Sequence, residues 1–260
     1  MRAQIHDSTV HYEIDGEGPA LVFIHGLGGT SNVWNAQRSE LSKSFRVLTY
    51  DLTGSGRSEH SGLEFSIEQW ADELSTLLDE ANIERASVVG HSMASLIAQR
   101  FALKYPERTT ALILAGSLAE LAPPGKKAIA QRAEAVEAKG MGAIADALLV
   151  GSLSARTREG NPAVAGLLRE VFLSNNPHCY AGHCRALVAG SVKGEQSSIE
   201  CPTLVLVGDQ DPVTPLAVAR QVASEVPNSV LRIVPGTAHM TMLECPDAFN
   251  TALLEFLASV

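Results

Sequence analysis

Ser92 stands in the run Ala86-Ser87-Val88-Val89-Gly90-His91-Ser92-Met93-Ala94-Ser95, where β-branched residues give way to a small-residue turn and then to a helical pattern. A serine hydroxyl is a weak nucleophile unless it is held clear of the backbone beside a base. A sharp strand-to-helix turn provides that presentation. Strand and helix backbones converge at such a turn, so the residues two before and two after the serine must be small; Gly90 and Ala94 meet the requirement. For the base, the sequence points to His239 in Val234-Pro235-Gly236-Thr237-Ala238-His239-Met240, whose small neighbours leave an imidazole free to reach outward. The chain carries eight histidines. His6, His11 and His60 read as solvated bystanders, and His91 as structural, because neighbours on a tight turn point apart. The acid that orients the base is expected to be Asp211, in Leu206-Val207-Gly208-Asp209-Gln210-Asp211-Pro212-Val213-Thr214-Pro215, where a carboxylate would fix the imidazole tautomer and stabilise the imidazolium. Asp209 is the alternative acid, in which case Asp211 becomes a cap. No carboxylate follows the strand pattern ending at Leu114, where Gly116-Ser117 stands.

Acyl transfer also needs preorganised donors for the developing oxyanion. The backbone N–H of Met93, at a helix start, is one candidate. The N–H of Leu27, in the glycine-rich turn His25-Gly26-Leu27-Gly28-Gly29, is the other. Gly26 and Gly28 are expected to contact substrate there. The same glycines do not make a phosphate cradle, because the lysine of a phosphate-binding loop is absent and the spacing is wrong.

These residues need elements that end at one place. Strand patterns cover Val10 to Ile14, Leu21 to Ile24, Arg46 to Tyr50, Ser87 to Val89, Ala111 to Leu114, Leu204 to Val207 and Val230 to Val234. Each candidate residue follows one of them. Between the strands, Ile67, Trp70, Ala71, Leu74, Leu77, Leu78 and Ala81 recur at steps of three and four and define an apolar helix face, with Ser66 and Gln69 as a capping box at its start. Further helices are expected from Met93 to Tyr105-Pro106 and from Pro246 to Ala258. Alternating strands and helices predict an α/β fold with a mostly parallel sheet covered on both faces.

The pattern breaks after Leu114. Leu121-Ala122-Pro123-Pro124-Gly125 is a breaker-rich joint, and from Lys126 to about Val192 the chain reads as helix before strand character resumes at Cys201-Pro202-Thr203. The expectation is a core built from residues 1–119 and 196–260, with residues 120–195 as a helical lid over the carboxyl edge of the sheet, where open α/β folds bind ligands.

A chain of 260 residues can bury one sizeable core without metal or disulfide support. Its net charge of −9 offers no electrostatic footprint for nucleic acid or an anionic membrane, which leaves a small neutral or modestly charged molecule as the expected partner. The apolar run Ala20 to Ile24 is too short for a signal-peptide core or a membrane span, and the four cysteines show no paired framework; a cytoplasmic location is expected. His178-Cys179 and His183-Cys184 repeat at a spacing of five, which on a helix separates equivalent residues by about 140° and argues against a zinc site. No metal or cofactor is expected. Asp51-Leu52-Thr53-Gly54-Ser55-Gly56-Arg57-Ser58 reads as a loop shaping the turn after its strand.

Taken together, strand-His25-Gly26, the Asp51 to Ser58 loop, Gly90-His91-Ser92-Met93, Gly208 to Pro215, and Gly236 to His239 followed by Glu244-Cys245-Pro246 resemble the landmarks of the α/β-hydrolase family in their usual order. The resemblance implies the α/β-hydrolase fold, Ser92, Asp211 and His239 as a catalytic triad, and Leu27 and Met93 as oxyanion donors. Arg132-Ala133-Glu134-Ala135-Val136-Glu137-Ala138-Lys139-Gly140-Met141 and Asn176-Pro177-His178-Cys179-Tyr180-Ala181-Gly182-His183-Cys184-Arg185-Ala186-Leu187 are similar to lid segments of 3-oxoadipate enol-lactonases. That similarity implies a small ester or lactone substrate, enol-lactones favoured, with Arg132 as a substrate contact. The chain departs from the pattern at Thr53, where arginine is usual, at Val188-Ala189-Gly190, which replaces a charged pair, and at Val150-Gly151-Ser152-Leu153, which replaces an Arg-Trp-Phe-like run. Two other functions use the same three residues: hydrolysis of a carbon–carbon bond in a ring-cleavage product, and a signalling receptor that binds a small molecule. Serine at the turn disfavours a dehalogenase or epoxide hydrolase built on a nucleophilic aspartate.

Overall fold

In the computed structural model, which describes residues 1–5, 7–59 and 64–260, the strand patterns assemble into a single sheet of eight strands. The strands are β1 (Arg2–Ile5), β2 (Ser8–Asp15), β3 (Ala20–Ile24), β4 (Arg46–Tyr50), β5 (Ala86–His91), β6 (Thr109–Ala115), β7 (Thr203–Gly208) and β8 (Ser229–Val234). Their order is β1-β2-β4-β3-β5-β6-β7-β8; β2 runs antiparallel to both its neighbours, and β4 through β8 are parallel. Seven strands match the expected patterns. β1 is additional: it is four residues long, and only Ala3 and Ile5 are buried while Arg2 and Gln4 face outward, so it carries little hydrophobic signal.

Successive side chains of a strand face opposite sides, and the core divides accordingly. Val22 and Ile24 of β3 and Val88 of β5 join one cluster with Trp70, Leu74, Leu77, Ile97 and Phe101. Leu21 and Phe23 of β3 and Val89 of β5 join the other, with Trp34, Leu41, Phe249 and Leu253. The first cluster is covered by α2 (Ile67–Glu80) and α3 (Met93–Lys104), the second by α1 (Asn35–Leu41) and α11 (Pro246–Leu257). Helix α2 starts where expected, with Ser66 Oγ accepting from the Gln69 N–H at 3.1 Å.

Five helices separate β6 from β7: α4 (Pro123–Lys139), α5 (Ala145–Ser152), α6 (Ala155–Gly160), α7 (Pro162–Leu173) and α8 (Pro177–Ala189). Antiparallel pairing of Glu120 with Ser191 brings the two ends of this segment together. Helix α4 packs along α8, while α5 and α6 pack against α7. After β7 come α9 (Leu216–Glu225), β8 and the short α10 (Thr241–Glu244). Because β3 to β8 are parallel, the loops following them all emerge at one edge of the sheet, and those loops carry the candidate residues. No helix among the described residues is long and apolar enough to cross a membrane. His6 and His60 lie outside the described residues.

Candidate active site

Ser92 follows β5 directly and takes φ 54° and ψ −121°, a conformation that costs a non-glycine residue about 1–3 kcal/mol. The turn is enforced from both sides. The Ser92 N–H donates to Ala115 O at 2.9 Å, tying it to the end of β6, and Ser92 O accepts the Ser95 N–H at 2.8 Å to open α3. A Cβ on Gly90 would lie 2.3 Å from Ala94 O, so strand and helix meet there as the turn requires. Among the described residues, no protein acceptor takes the N–H of Met93, which is one of the orphan donors of a helix start.

The Leu27 N–H is likewise without a protein acceptor among the described residues. Its turn is closed by Gly29 N–H donating to Gly26 O at 3.0 Å, and Gly26 sits so close that a Cβ would lie 3.1 Å from that of Ser92. Leu27 thus lies one residue from the point where its turn meets Ser92, and Met93 follows Ser92 in the chain. A small cavity of about 40 Å³ opens beside them, lined by Gly26, Leu27, His91, Ser92, His239 and Phe172 among others.

His239 reaches this cavity from the loop after β8. Its Nδ1 bonds Asp211 Oδ2 at 2.8 Å, and the carboxylate is fixed in turn by the N–H groups of Val213 (2.8 Å) and Thr214 (3.0 Å) on Oδ1 and the Thr214 hydroxyl (2.8 Å) on Oδ2. Burial pushes the Asp211 carboxyl up, but the neighbouring His239 and these hydrogen bonds outweigh it and hold it below the usual value. An ionised acceptor on Oδ2 makes Nδ1 the protonated nitrogen, which leaves Nε2 as the basic one. Thr214 contributes more than the sequence suggested, because its hydroxyl also lies 3.3 Å from Nδ1. Gly116, after β6, presses on the other side of the ring; a Cβ there would lie 3.0 Å from His239 Cε1.

Asp209, the alternative acid, makes no hydrogen bond to the His239 ring among the described residues. Its Oδ1 accepts the Gly236 N–H at 2.7 Å and braces the histidine loop from outside. His91 is fully buried, and burial together with the neighbouring His239 lowers its pKa to about 3, so it stays neutral. Its Nε2–H donates to the backbone carbonyl of His239 at 3.0 Å and its ring lies 4.7 Å from that of His239, a tie between the two loops that sequence neighbours could not reveal.

Two expected substrate contacts fall elsewhere. Gly28 is turned away from the cavity: its carbonyl accepts Asn175 Nδ2 at 2.9 Å, and a Cβ would strike the Tyr180 ring at 2.8 Å, so it is a packing point against α7 and α8. Arg132 lies half-buried on α4 beside the Tyr180 hydroxyl and the Cys184 thiol, one side chain removed from the Gly28 turn, and does not line the cavity. The lining residues that sequence reasoning missed, Ser152, Leu168 and Phe172, come from α5 and α7, whose inward faces helical periodicity alone does not assign. The His178-Cys179 and His183-Cys184 pairs diverge as the helical geometry implied: His178 is exposed near Glu137, whereas His183 is buried with Nε2 bonding Thr53 O at 3.0 Å.

Residues 19–246 match the model of the α/β-hydrolase fold family. The chain belongs to the α/β-hydrolase family. Among curated relatives, 3-oxoadipate enol-lactonase 2 of Acinetobacter baylyi is 29% identical over 249 residues, spanning 95% of this chain and 92% of that enzyme. The solved enol-lactonase of Burkholderia xenovorans LB400 superposes with a TM-score of 0.94 at 31% identity, covering 99% of this chain and all 100% of that one. A thermophilic esterase from Thermogutta terrifontis, solved with malate bound, gives a TM-score of 0.95 at 28% identity over 100% of this chain and 98% of its own. This α/β-hydrolase therefore shares its fold, end to end, with enzymes named for opening lactones and cleaving esters.

Proposed function

We propose that this α/β-hydrolase cleaves a small carboxylic ester or lactone through an acyl-enzyme on Ser92, with an enol-lactone as the favoured substrate. One observation carries the reading: a strained serine and a histidine backed by an ionised, buried aspartate line one cavity with Leu27, whose backbone N–H has no protein acceptor among the described residues. In this reading His239 Nε2 takes the Ser92 proton as Oγ attacks the carbonyl. The N–H groups of Leu27 and Met93 hold the oxyanion. His239 returns the proton to the leaving alkoxide and then activates water to release the acid. No step requires a metal or cofactor.

Residues 120–195 serve as the lid. The cavity beside Ser92 is small, about 40 Å³, and Leu168 and Phe172 of α7 form part of its wall, so this segment limits what can reach the serine. The names of the enol-lactonase relatives favour a lactone. Where that pattern has arginine, Thr53 here is buried and hydrogen-bonded to Glu73, so it offers no charge to an anionic substrate. Arg132 remains the cationic candidate, acting through displacement of α4 and α8 toward the site. A cytoplasmic location suits the four free cysteines, Cys179, Cys184, Cys201 and Cys245.

A fluorophosphonate probe should label Ser92, and Ser92→Ala should lower turnover across a panel of esters, lactones and vinylogous diketones by about 10⁴- to 10⁶-fold with folding intact. Full activity of that variant on every substrate the wild type accepts would remove the mechanism. Rapid diketone cleavage beside slow ester turnover would transfer the same three residues to carbon–carbon hydrolysis.

A further inference from the structure

His239 is held through its backbone as well as through Asp211. The peptide groups around it are held from two directions. From the core, His91 Nε2–H bonds the His239 carbonyl. From the helices between β6 and β7, Ser152 O accepts the Met240 N–H at 3.0 Å. A further restraint is Glu244, five residues beyond the histidine on α10. Its Oε1 accepts the Ala238 N–H at 2.7 Å, immediately before His239. Its Oε2 accepts three donors from the opposite side: the Ser154 N–H at 3.0 Å, the Ser154 hydroxyl at 2.5 Å and the Thr157 hydroxyl at 2.7 Å. Ser154 is the N-cap of α6 and Thr157 lies in its first turn; both are buried.

One carboxylate thus joins the histidine loop to the junction of α5 and α6, across a sequence separation of about ninety residues. Four donors converge on two oxygens, which is close to the full accepting capacity of an ionised carboxylate. Neither Ser154 nor Thr157 lines the cavity beside Ser92; their side chains meet the histidine loop through Glu244.

We propose that Glu244 is a positioning residue that couples the seating of α5 and α6 to the orientation of His239, so that the base is aligned when these helices are docked and misaligned when they shift. The proposal rests on the reading of Ser92 and His239 given above. Glutamine at 244 preserves shape but offers only one accepting atom; its amide group faces donors on one arm, so one half of the link is lost. A misplacement of about 1 Å in a catalytic group can cost up to a hundredfold in rate.

The test uses the full-length protein, p-nitrophenyl acetate turnover, the rate of Ser92 labelling by a fluorophosphonate, and melting curves that give the folded fraction. The KM of this substrate reads binding, and the labelling rate of Ser92 reads alignment. Glu244→Gln, and separately Ser154→Ala combined with Thr157→Val, should each lower kcat and the labelling rate by about ten- to hundredfold with KM within about twofold. Combining all three substitutions should be no worse than the more impaired parent, because both sets break one link. Unchanged kcat per folded molecule in both variants would overturn the proposal, and so would losses that multiply in the combination. An effect confined to Glu244→Gln would overturn the coupling, since the loop would then be held without reference to the helices. The Ser92→Ala control separates the two levels: if it retains wild-type turnover the hydrolase reading fails and this inference with it, whereas an inactive Ser92→Ala beside normal Glu244→Gln refutes the coupling alone.

Discussion

Two buried histidine–aspartate pairs sit at the same edge of this sheet, and they differ in what is left over. In the loops after β7 and β8, His239 spends Nδ1 on Asp211 and lines a cavity together with Ser92. In the loops after β3 and β4, His25 spends both nitrogens on backbone: Nδ1–H donates to Gly26 O at 2.9 Å, and Nε2 accepts the Leu52 N–H at 3.1 Å. Its companion Asp51 accepts the N–H groups of Ser31 at 2.7 Å and Arg57 at 2.9 Å. Burial pushes the Asp51 carboxyl up, yet the His25 ring beside it and those N–H groups hold it below its usual value, as happens at Asp211. The electrostatics are alike, and the free valences are not. On the proposed reading a histidine serves as base where one nitrogen remains unclaimed; with both claimed, His25 is a bracket for the turn that carries Leu27.

The largest effect that would break this comparison is at Asp211. In Asp211→Asn, Oδ1 can keep the Val213 and Thr214 N–H bonds while the amide group occupies the position facing His239 Nδ1. That forces the proton onto Nε2, the wrong nitrogen for a base, and kcat should fall by about 10⁴-fold with little change in Tm. Steady-state kinetics and a melting curve on the same preparation check it. A loss of less than tenfold would mean that Asp211 braces its loop and no more.

Asp51→Asn should behave in the opposite sense. Its amide group would confront either the buried Ser31 N–H or the partly buried Arg57 N–H, leaving one donor unpaired at a cost of about 1–3 kcal/mol, so Tm should fall by several degrees while kcat of the folded fraction stays within about tenfold. If this substitution proved as damaging to kcat as Asp211→Asn, the distinction between a catalytic pair and a bracing pair would collapse.

Which parts of this were legible in the sequence follows from the range of the interactions involved. Ser92, His239 and Asp211 each follow a strand run, and parallel topology delivers all three loops to one edge, so local pattern and a fold rule suffice to gather them. The choice between Asp211 and Asp209 could not be made that way, since both follow β7 and only the fold shows one facing the imidazole and the other facing Gly236 N–H. Helical character from Lys126 to about Val192 was readable from composition, although α4 already starts at Pro123, inside the run read as a joint, because proline is tolerated in a first helical turn. Which faces turn inward was not, and so Arg132 was expected at a site that Ser152, Leu168 and Phe172 line instead. Gly28 was read as a substrate contact because glycine signals close approach without saying what approaches; here it is Tyr180. Glu244 stood out as part of a family landmark, but its partners lie in α6, beyond any local pattern.

Glu73 extends the comparison to a carboxylate without a histidine. It is buried on α2 and bonds the same loop as Asp51, accepting the Thr53 N–H at 3.3 Å and the Thr53 hydroxyl. At Asp51 two backbone N–H groups and an adjacent ring outweigh burial. At Glu73 one long N–H bond and one hydroxyl do not, and burial raises its pKa from 4.5 to about 7. The folded state therefore binds this proton more tightly than the unfolded chain. Its stabilising contribution is complete below about pH 4.5 and is lost as pH rises toward 7, with nothing further lost above that. Glu73→Gln removes a charge that burial penalises while keeping an acceptor for Thr53, and it should flatten this slope: little change in Tm at pH 4.5, and at pH 8 a gain on the order of 1–3 kcal/mol, or a few degrees in Tm. Melting curves of wild type and variant across this range decide the matter. Parallel curves would show that Glu73 stays ionised in the folded protein at neutral pH, and that Thr53 stabilises its charge as effectively as His25 and the loop amides stabilise that of Asp51.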